Sequence, residues 1–264
     1  MGPVVTPTAP QTDQRARLLE AARGLLEAAG PEALRARGLT AQIGASTQAI
    51  YTLFGGMPGL LEALVADGFA RLAAYVETVP ETDDPVADFF SRGGAYSDWA
   101  LTNPQHYRLM FGLTKGLRVQ SGLDITATGT LANFPEGQAA IEVMVRSLDR
   151  VIEAGRVSPV DSLIAASQFL SATHGYVLLE SAGAFAHQGH GLQIFASLAS
   201  NLMVGLGDSR EAVERSLLAA TAASRDAHEA RIRQATPASS PWGRATLGRG
   251  VTGATGRTRR GPRP

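Results

Sequence analysis

Residues 34–54 read Leu-Arg-Ala-Arg-Gly-Leu-Thr-Ala-Gln-Ile-Gly-Ala-Ser-Thr-Gln-Ala-Ile-Tyr-Thr-Leu-Phe, and this stretch decides the fold. It predicts two short helices joined by a tight turn, because apolar residues recur at helical spacing on both sides of a glycine. Gly44 ends the first helix, since a residue just past a helix end often needs the positive φ that glycine reaches freely. Ser46 is placed to cap the second helix with its hydroxyl.

The second of these helices has two chemically different faces. Its packing face carries Ala49, Ile50, Leu53 and Phe54. Its polar face carries Thr47, Gln48, Tyr51 and Thr52. A buried anchor behind short hydrogen-bonding side chains suits a helix that enters a DNA major groove. The spacing alone fits an ordinary corner between two helices equally well.

The segment from residue 15 to 64 resembles the DNA-binding domain of TetR-family transcriptional repressors. The matching residues are Leu19-Glu-Ala-Ala22, Gly30, Leu39, Ile43-Gly44, Ser46-Thr-Gln-Ala-Ile-Tyr51, Phe54-Gly55 and Leu60-Leu61. The resemblance implies an all-α fold, with an N-terminal three-helix helix-turn-helix domain and a larger helical bundle for ligand binding and dimerisation. The predicted parts are a disordered leader (1–11), the DNA-binding domain (12–57), the bundle (58–235) and a disordered basic tail (236–264).

The resemblance also implies which residues touch a double-stranded DNA operator. The predicted set is Arg35, Arg37, Ser46, Thr47, Gln48, Tyr51 and Thr52. We expect Gln48 to pair with an adenine edge, and Tyr51 and Thr52 to bond phosphates. The two arginines are expected to reach flanking phosphates. The alternative for all of these side chains is a polar surface that faces water.

Two positions depart from the family pattern. Leu53 stands where the family often has a basic residue or histidine, and Met57 and Pro58 stand where it often has a lysine. Residues 13–57 carry five arginines against four acids, which predicts few phosphate contacts and a weak salt dependence of DNA binding. The alternative function is therefore a degenerate TetR-like protein that binds small molecules without binding an operator.

Longer helices are predicted over residues 58–79, 86–103, 136–153, 159–183, 191–206 and 208–234. Asp83 and Asp84 are expected to cap the second of them, and Pro104 to start a short extra helix. The run Asn103-Pro-Gln-His-Tyr-Arg-Leu-Met-Phe111 and the pair His174-Gly175 are similar to the signature of one TetR subgroup. In that family the helices equivalent to 159–183 and 190–206 pair with their copies, which implies a homodimer. The sequence does not assign a place to 208–234.

Large side chains in the predicted bundle are candidates for a cavity that binds a small apolar effector. The candidates are Phe89, Tyr96, Trp99, Met110, Phe111, Met144, Phe169 and His174, with Phe134 and Tyr176 as further members. A packed core contains the same residue types, so core packing explains them equally well.

Composition limits the remaining functions. The chain carries 24 basic and 24 acidic side chains, so DNA binding depends on local charge. The absence of cysteine excludes disulfides and thiolate sites and fits a cytoplasmic protein. No apolar run has the length of a membrane span. His187 and His190 have metal-like spacing but no further ligand nearby, so no metal is expected. There is no phosphate loop, nucleophile elbow or base–nucleophile pair, so the sequence predicts neither an enzyme nor a cofactor.

Residues 112–135 are expected to form a long loop, because they hold four glycines and little periodicity. The tail from 236 to 264 holds six arginines and no acid. This composition fits either an arm that contacts phosphates or a solvated appendage.

Overall fold

The computed structural model describes residues 9–34, 46–113, 135–185 and 189–235. In these ranges the chain forms nine α-helices and one 3₁₀ helix (Pro31–Leu34), without a β-strand. The α-helices are α1 (Ala9–Ala29), α2 (Thr47–Phe54), α3 (Met57–Glu77), α4 (Pro85–Thr102), α5 (Pro104–Met110), α6 (Pro135–Glu153), α7 (Ser162–Ser181), α8 (Gly191–Gly205) and α9 (Arg210–Ala235). The predicted all-α fold is confirmed.

The chain divides into two units, residues 1–225 and 226–264. Of the second unit the structure describes the last ten residues of α9, 226–235. The predicted basic tail and most of the predicted loop, residues 114–134, lie outside the described residues. Everything that follows concerns the first unit.

Side-chain caps fix the start of several helices. Asp84 caps α4 as predicted, since its Oδ1 accepts hydrogen bonds from the backbone N–H groups of Val86 and Ala87, each at 3.1 Å. Pro104 is the first residue of α5, also as predicted, where its missing N–H is not needed.

Two predicted helix starts are wrong. The sequence predicts a first helix that Thr12 or Asp13 caps, but α1 begins at Ala9, so both residues lie inside it, and Asp13 pairs with Arg17 one turn later. Helix α7 begins at Ser162 and not at Pro159. The carboxylate of Asp161 accepts from the N–H of Ile164 at 3.0 Å, and this cap decides where the first turn forms.

The core consists of two clusters of buried side chains. The first is built mainly from α1, α3, α4 and α5 and includes Leu26 and Leu64. The second is built from α4, α6, α7, α8 and α9 and includes Phe89, Met203 and Val213. No single described helix is long and apolar enough to cross a membrane, although α2 and α3, bent by 56° at their break, reach that length and composition together.

A partly buried polar cluster holds the start of α9 against the start of α4. Arg156 donates to Asp208 at 2.7 Å and to Asp84 at 3.2 Å. Ser216 of α9, which is only 1% exposed, donates to Asp84 at 2.7 Å. These contacts give the last helix the place that the sequence left unassigned.

Candidate nucleic-acid interface and ligand cavities

Helix α2 is delimited at both ends as the sequence predicts. The hydroxyl of Ser46 accepts a hydrogen bond from the N–H of Ala49 at 3.1 Å. At the other end Gly55 has φ 72°, a left-handed conformation, and its N–H donates to the carbonyl of Tyr51. Ser46 therefore acts first as a cap, and any contact with DNA comes in addition to that role.

The two predicted faces of α2 differ in exposure. Ile50 is 2% exposed and anchors the helix, whereas Tyr51 is 62% exposed. Gln48 and Thr52 are exposed as well, beside Tyr51. The hydroxyl of Thr52 donates to the carbonyl of Gln48 at 2.9 Å, so its proton is already engaged within the helix. Among the described side chains of this face, Gln48 and Tyr51 thus present the hydrogen-bonding groups that are not engaged within the helix.

One of the residues that depart from the family pattern, Met57, contributes to packing, whereas Pro58 is exposed. Leu53 and Met57 are half-buried, and Met57 packs against the first core cluster. Phe54 is also half-buried, with the guanidinium of Arg15 above its ring at 4.9 Å from the centroid.

Helix α3 follows α2 at very short range. A Cβ at Gly59 would lie 1.8 Å from the carbonyl oxygen of Phe54, a backbone atom that cannot move aside. Only glycine therefore permits this crossing of α2 and α3, and the sequence analysis did not single it out.

Part of the predicted DNA-contact set lies outside the described residues. This applies to Arg35 and Arg37, together with the predicted turn at Gly44. Thr47 is described as the first residue of α2, without its side chain. The contacts of these residues stay predictions.

Helix α5 joins α1 to α3 through buried His106. Its Nε2 donates to the carbonyl of Leu64 at 2.9 Å, and its Nδ1 lies 3.3 Å from the carboxylate of Glu27. A Cβ at Gly68 would lie 2.6 Å from the sulfur of Met110. Met110, a candidate ligand residue, is thus fully buried at the contact between α3 and α5.

Three candidate ligand residues meet around Tyr107, which the sequence analysis did not single out. The hydroxyls of Tyr96 and Tyr107 are 3.2 Å apart, and the Tyr107 hydroxyl is 2.7 Å from Nδ1 of His174. The ring centroid of Phe111 lies 4.5 Å from that of His174. The sequence signal for Tyr107 was its place in the quoted motif between Asn103 and Phe111.

This polar chain is uncharged at neutral pH. Burial lowers the pKa of His174 and raises the pKa of both Tyr96 and Tyr107. With Nδ1 unprotonated, Tyr107 donates to His174 and Tyr96 donates to Tyr107, which gives both phenol protons an acceptor. The chain links α4, α5 and α7 without a buried charge.

Two cavities bear on the ligand prediction. The first lies between α3, α4, α6 and α7, has a volume of about 30 Å³, and is lined by Tyr96 and Met144 among others. That volume holds a water molecule but not an aromatic ring. The second, which we call the α9 cavity, has a volume of about 140 Å³. Phe89, Met144 and Phe169 of the candidate set line it.

The remaining candidates have other surroundings. Trp99, Met110, Phe111 and His174 line neither cavity. Trp99 packs beside His106 with ring centroids 6.2 Å apart, which fits core packing. Tyr176 stacks on Phe195 at 4.7 Å. Phe134 lies outside the described residues.

The α9 cavity also uses residues that the sequence analysis missed. Gly93, Gly94, Thr173 and Phe195 line it. A Gly-Gly pair inside a helix was the available signal, because glycine lowers helix stability and is kept where space or close approach requires it.

No metal centre is found in the part of the chain that the structure describes. No group of three or more histidine, aspartate or glutamate side chains there could hold an ion. His190 precedes α8, and His187 lies outside the described residues.

Comparison with known families gives two matches. The model of the bacterial regulatory proteins of the tetR family matches residues 18–64. The model of the tetracyclin repressor-like C-terminal domain matches residues 89–202. No curated protein sequence matches the chain.

Solved structures share the fold. A protein of unknown function from Rhodococcus sp. RHA1 is 25% identical, with a TM-score of 0.60 over 79% of this chain and 100% of its own. RolR in complex with resorcinol is 19% identical, with a TM-score of 0.55 over 78% of this chain and 94% of its own. A regulatory protein of the tetR family from Rhodococcus RHA1 is 20% identical, with a TM-score of 0.52 over 76% of this chain and 100% of its own.

The family matches cover the predicted DNA-binding segment and most of the helical body, and they confirm the resemblance seen in the sequence. TetR-family regulators bind DNA operators and small-molecule ligands and form dimers. The chain belongs to the TetR family of bacterial transcriptional regulators.

Proposed function

We propose that this protein is a ligand-responsive transcriptional repressor that binds a palindromic operator as a homodimer. Residues 12–57 bind DNA, and residues 58–235 bind the effector and form the dimer. A role on DNA of this kind belongs in the cytoplasm, and it requires no catalytic chemistry.

The observation that carries the proposal is the exposure of the polar face of α2. Tyr51 is 62% exposed while the neighbouring Ile50 is 2% exposed, so one face of the helix packs on the protein and the other is exposed to solvent. Gln48 stands on the same open face. Side chains of this type read base edges and phosphates in a major groove.

Exposed apolar side chains on α7 and α8 support the homodimer. They are Ile164, Leu179, Leu192, Ile194 and Leu198, with exposures from 38% to 67%. Isolated apolar residues on a surface are ordinary, but a group on two packed helices favours a covered interface. The dimer must place its two α2 helices about 34 Å apart to enter successive major grooves.

The proposed response to effector is a shift between two arrangements of the dimer. A ligand that binds the body better when the α2 helices are wrongly spaced lowers operator affinity. A coupling of about 1–3 kcal/mol changes that affinity by about 5- to 150-fold. Helix α3 transmits the change, since it packs on α2 at one end and enters the core of the body at the other.

Selection of bound sequences from random DNA tests the proposal. The purified chain should enrich a palindrome whose half-sites are about one helical turn apart. A double variant, Gln48→Ala with Tyr51→Ala, is the control: both side chains are exposed, so it should fold normally and enrich nothing. If the wild-type protein enriches no sequence even at low salt, the chain is a small-molecule-binding protein without an operator.

A further inference from the structure

One wall of the α9 cavity comes from a helix beyond the matched family region. The C-terminal family model ends at residue 202, whereas α9 begins at Arg210. Leu217, Ala220 and Thr221 of α9 line the cavity together with residues of α4, α7 and α8. Asp84 and Arg156 hold the start of this helix in place, as described above.

The size and walls of the cavity suit a single aromatic ring. Its volume of about 140 Å³ is close to the engineered cavity of about 150 Å³ that binds benzene in another protein. Four phenylalanines line it, namely Phe89, Phe90, Phe169 and Phe195. Such rings make edge-to-face or offset contacts with an aromatic ligand.

The cavity has no partner for an ionised ligand. None of the described lining residues is acidic, basic or histidine. An ionised carboxylate or ammonium would lose its hydration on entry without gaining an opposite charge, which strongly opposes binding. An uncharged ligand loses far less.

Two threonine hydroxyls in the wall act as hydrogen-bond acceptors. The hydroxyl of Thr173 donates to the carbonyl of Phe169 at 2.8 Å, and that of Thr221 donates to the carbonyl of Leu217 at 2.8 Å. Both protons are therefore engaged, and the oxygen lone pairs remain. Thr173 is 8% exposed, whereas Thr221 and Ser224, the other hydroxyls in the described lining, are exposed, so a ligand O–H inside the cavity donates to Thr173.

We infer that the α9 cavity is a binding site for a small, uncharged, single-ring aromatic molecule that carries a hydroxyl group. The role of this cavity as the effector site of the regulator rests on the proposed function, whereas the binding of such a molecule does not. Helix α8 supplies Phe195 to the cavity and Ile194 and Leu198 to the exposed surface proposed for dimerisation. A ring in the cavity thus contacts a helix of that surface directly.

Calorimetric titration of the purified full chain, without DNA, tests the site. Phenol and toluene should both bind, phenol at least threefold more tightly, and benzoate should bind at least tenfold more weakly than either. Benzoate binding as tight as phenol binding, or no binding of phenol and toluene, overturns the inference. If the protein binds phenol but selects no operator, the binding site is supported and only the proposed repressor function is wrong.

Two variants locate the binding. The double change Gly93→Ala with Gly94→Ala adds two methyl groups to the cavity wall. There is space for them, because the nearest atom to a Cβ is Phe195 Cζ at 3.9 Å. The variant should bind phenol at least tenfold more weakly. Gly24→Ala, the same change in α1 where a Cβ meets nothing within 4 Å, should leave phenol binding unchanged. Thr173→Val keeps the shape, so it should abolish the preference for phenol over toluene while toluene still binds. Unchanged phenol binding in the variant with both glycine substitutions contradicts the assignment. A retained preference for phenol over toluene in Thr173→Val contradicts it as well.

Discussion

Ser216 donates a hydrogen bond of 2.7 Å to the carboxylate of Asp84, 132 positions earlier in the chain. The bond joins α9 to the cap of α4, and both helices line the α9 cavity. The integrity of the cavity therefore depends on a polar contact between its walls as well as on apolar packing.

Replacing Ser216 by alanine should lower the free energy of unfolding by about 1.5 kcal/mol, the low end for a hydrogen bond to a charged group, because the Asp84 carboxylate is partly exposed. Urea unfolding measures the change. Ser171→Ala is the matched control, since that exposed hydroxyl bonds only within its own helix, and it should change stability by less than about 0.5 kcal/mol. Equal effects of the two changes would mean that this bond does not hold α9.

Asp84→Asn should make the free energy of unfolding depend less on pH in the acid range. Burial alone raises the pKa of Asp84, but hydrogen bonds from Ser216 and the Ala87 and Val86 N–H groups, with the charge of Arg156, bring it below the ordinary 3.8. A carboxyl with a lowered folded pKa contributes stability that is present above its unfolded pKa and is lost as pH falls through the folded value.

The variant should therefore be less stable than wild type at pH 7, with the difference shrinking below about pH 4. Unfolding curves across this range give the comparison. Asp161→Asn is the control, because asparagine caps a helix about as well as aspartate, and it should be near neutral at pH 7. A constant difference between wild type and Asp84→Asn at all pH values would contradict the role of the charge.

His174→Gln should reduce the loss of stability in mild acid. Burial lowers the pKa of His174 from its ordinary 6.5, so the unfolded state binds more protons than the folded state below that pH. Stability from this group is present above about pH 6.5 and is lost as pH falls towards the folded pKa. Glutamine keeps an acceptor for Tyr107 and does not titrate.

Chemical unfolding at pH 7.5 and pH 5.5 measures the effect, and the wild type should lose more stability than the variant. His190→Gln serves as the control because that histidine is exposed before α8. If His174→Gln and His190→Gln show the same pH dependence as wild type, burial of His174 has no energetic consequence.

Gly59→Ala should disrupt the DNA-binding end of the chain. Its methyl group would lie 1.8 Å from the Phe54 carbonyl oxygen, so α2 or α3 must move. We expect a loss of about 3 kcal/mol or more and loss of operator binding. Gly24→Ala meets nothing within 4 Å and should instead stabilise the chain by up to about 1 kcal/mol. Normal stability of Gly59→Ala would mean that the two helices separate easily.

The predicted DNA contacts should divide into contacts that recognise a base and contacts with phosphates, which do not depend on sequence. Gln48→Ala should relax the sequence preference at one base position, by about 1–3 kcal/mol. Arg37→Ala, from the sequence-based set, should weaken all sequences alike and reduce the salt slope by about 0.9. Binding curves on the selected operator at several salt concentrations measure both. Arg210→Ala removes an exposed charge at the start of α9 and should change neither quantity.

Sequence patterns predicted the helices well because caps and prolines mark their ends. Ser46 and Asp84 cap as expected, since a short oxygen-bearing side chain before an apolar run satisfies free N–H groups by local geometry. Pro159 misled the prediction for α7, because the nearby Asp161 provides a stronger cap. That competition between two local signals cannot be resolved from spacing alone.

The residues that line a ligand cavity were harder to predict, because core residues and cavity residues recur along a helix with the same spacing. Phe89 and Phe169 line the α9 cavity, whereas Trp99 and Met110 pack in the first core cluster, with the same apolar pattern in the sequence. Which of them border a void depends on how α9 docks, and Ser216 and Asp84 decide that from 132 positions apart. Such a pairing leaves no periodic signal.

The close contact at Gly59 couples the movements of α2 and α3. Because the backbone of α3 touches the last carbonyl of α2, with no side chain between them, the two helices cannot rotate independently without breaking van der Waals contact. A change of tilt in α3 should therefore move α2 with it. Under the proposed function, operator release would then require only a small reorientation of this corner, without melting of α2.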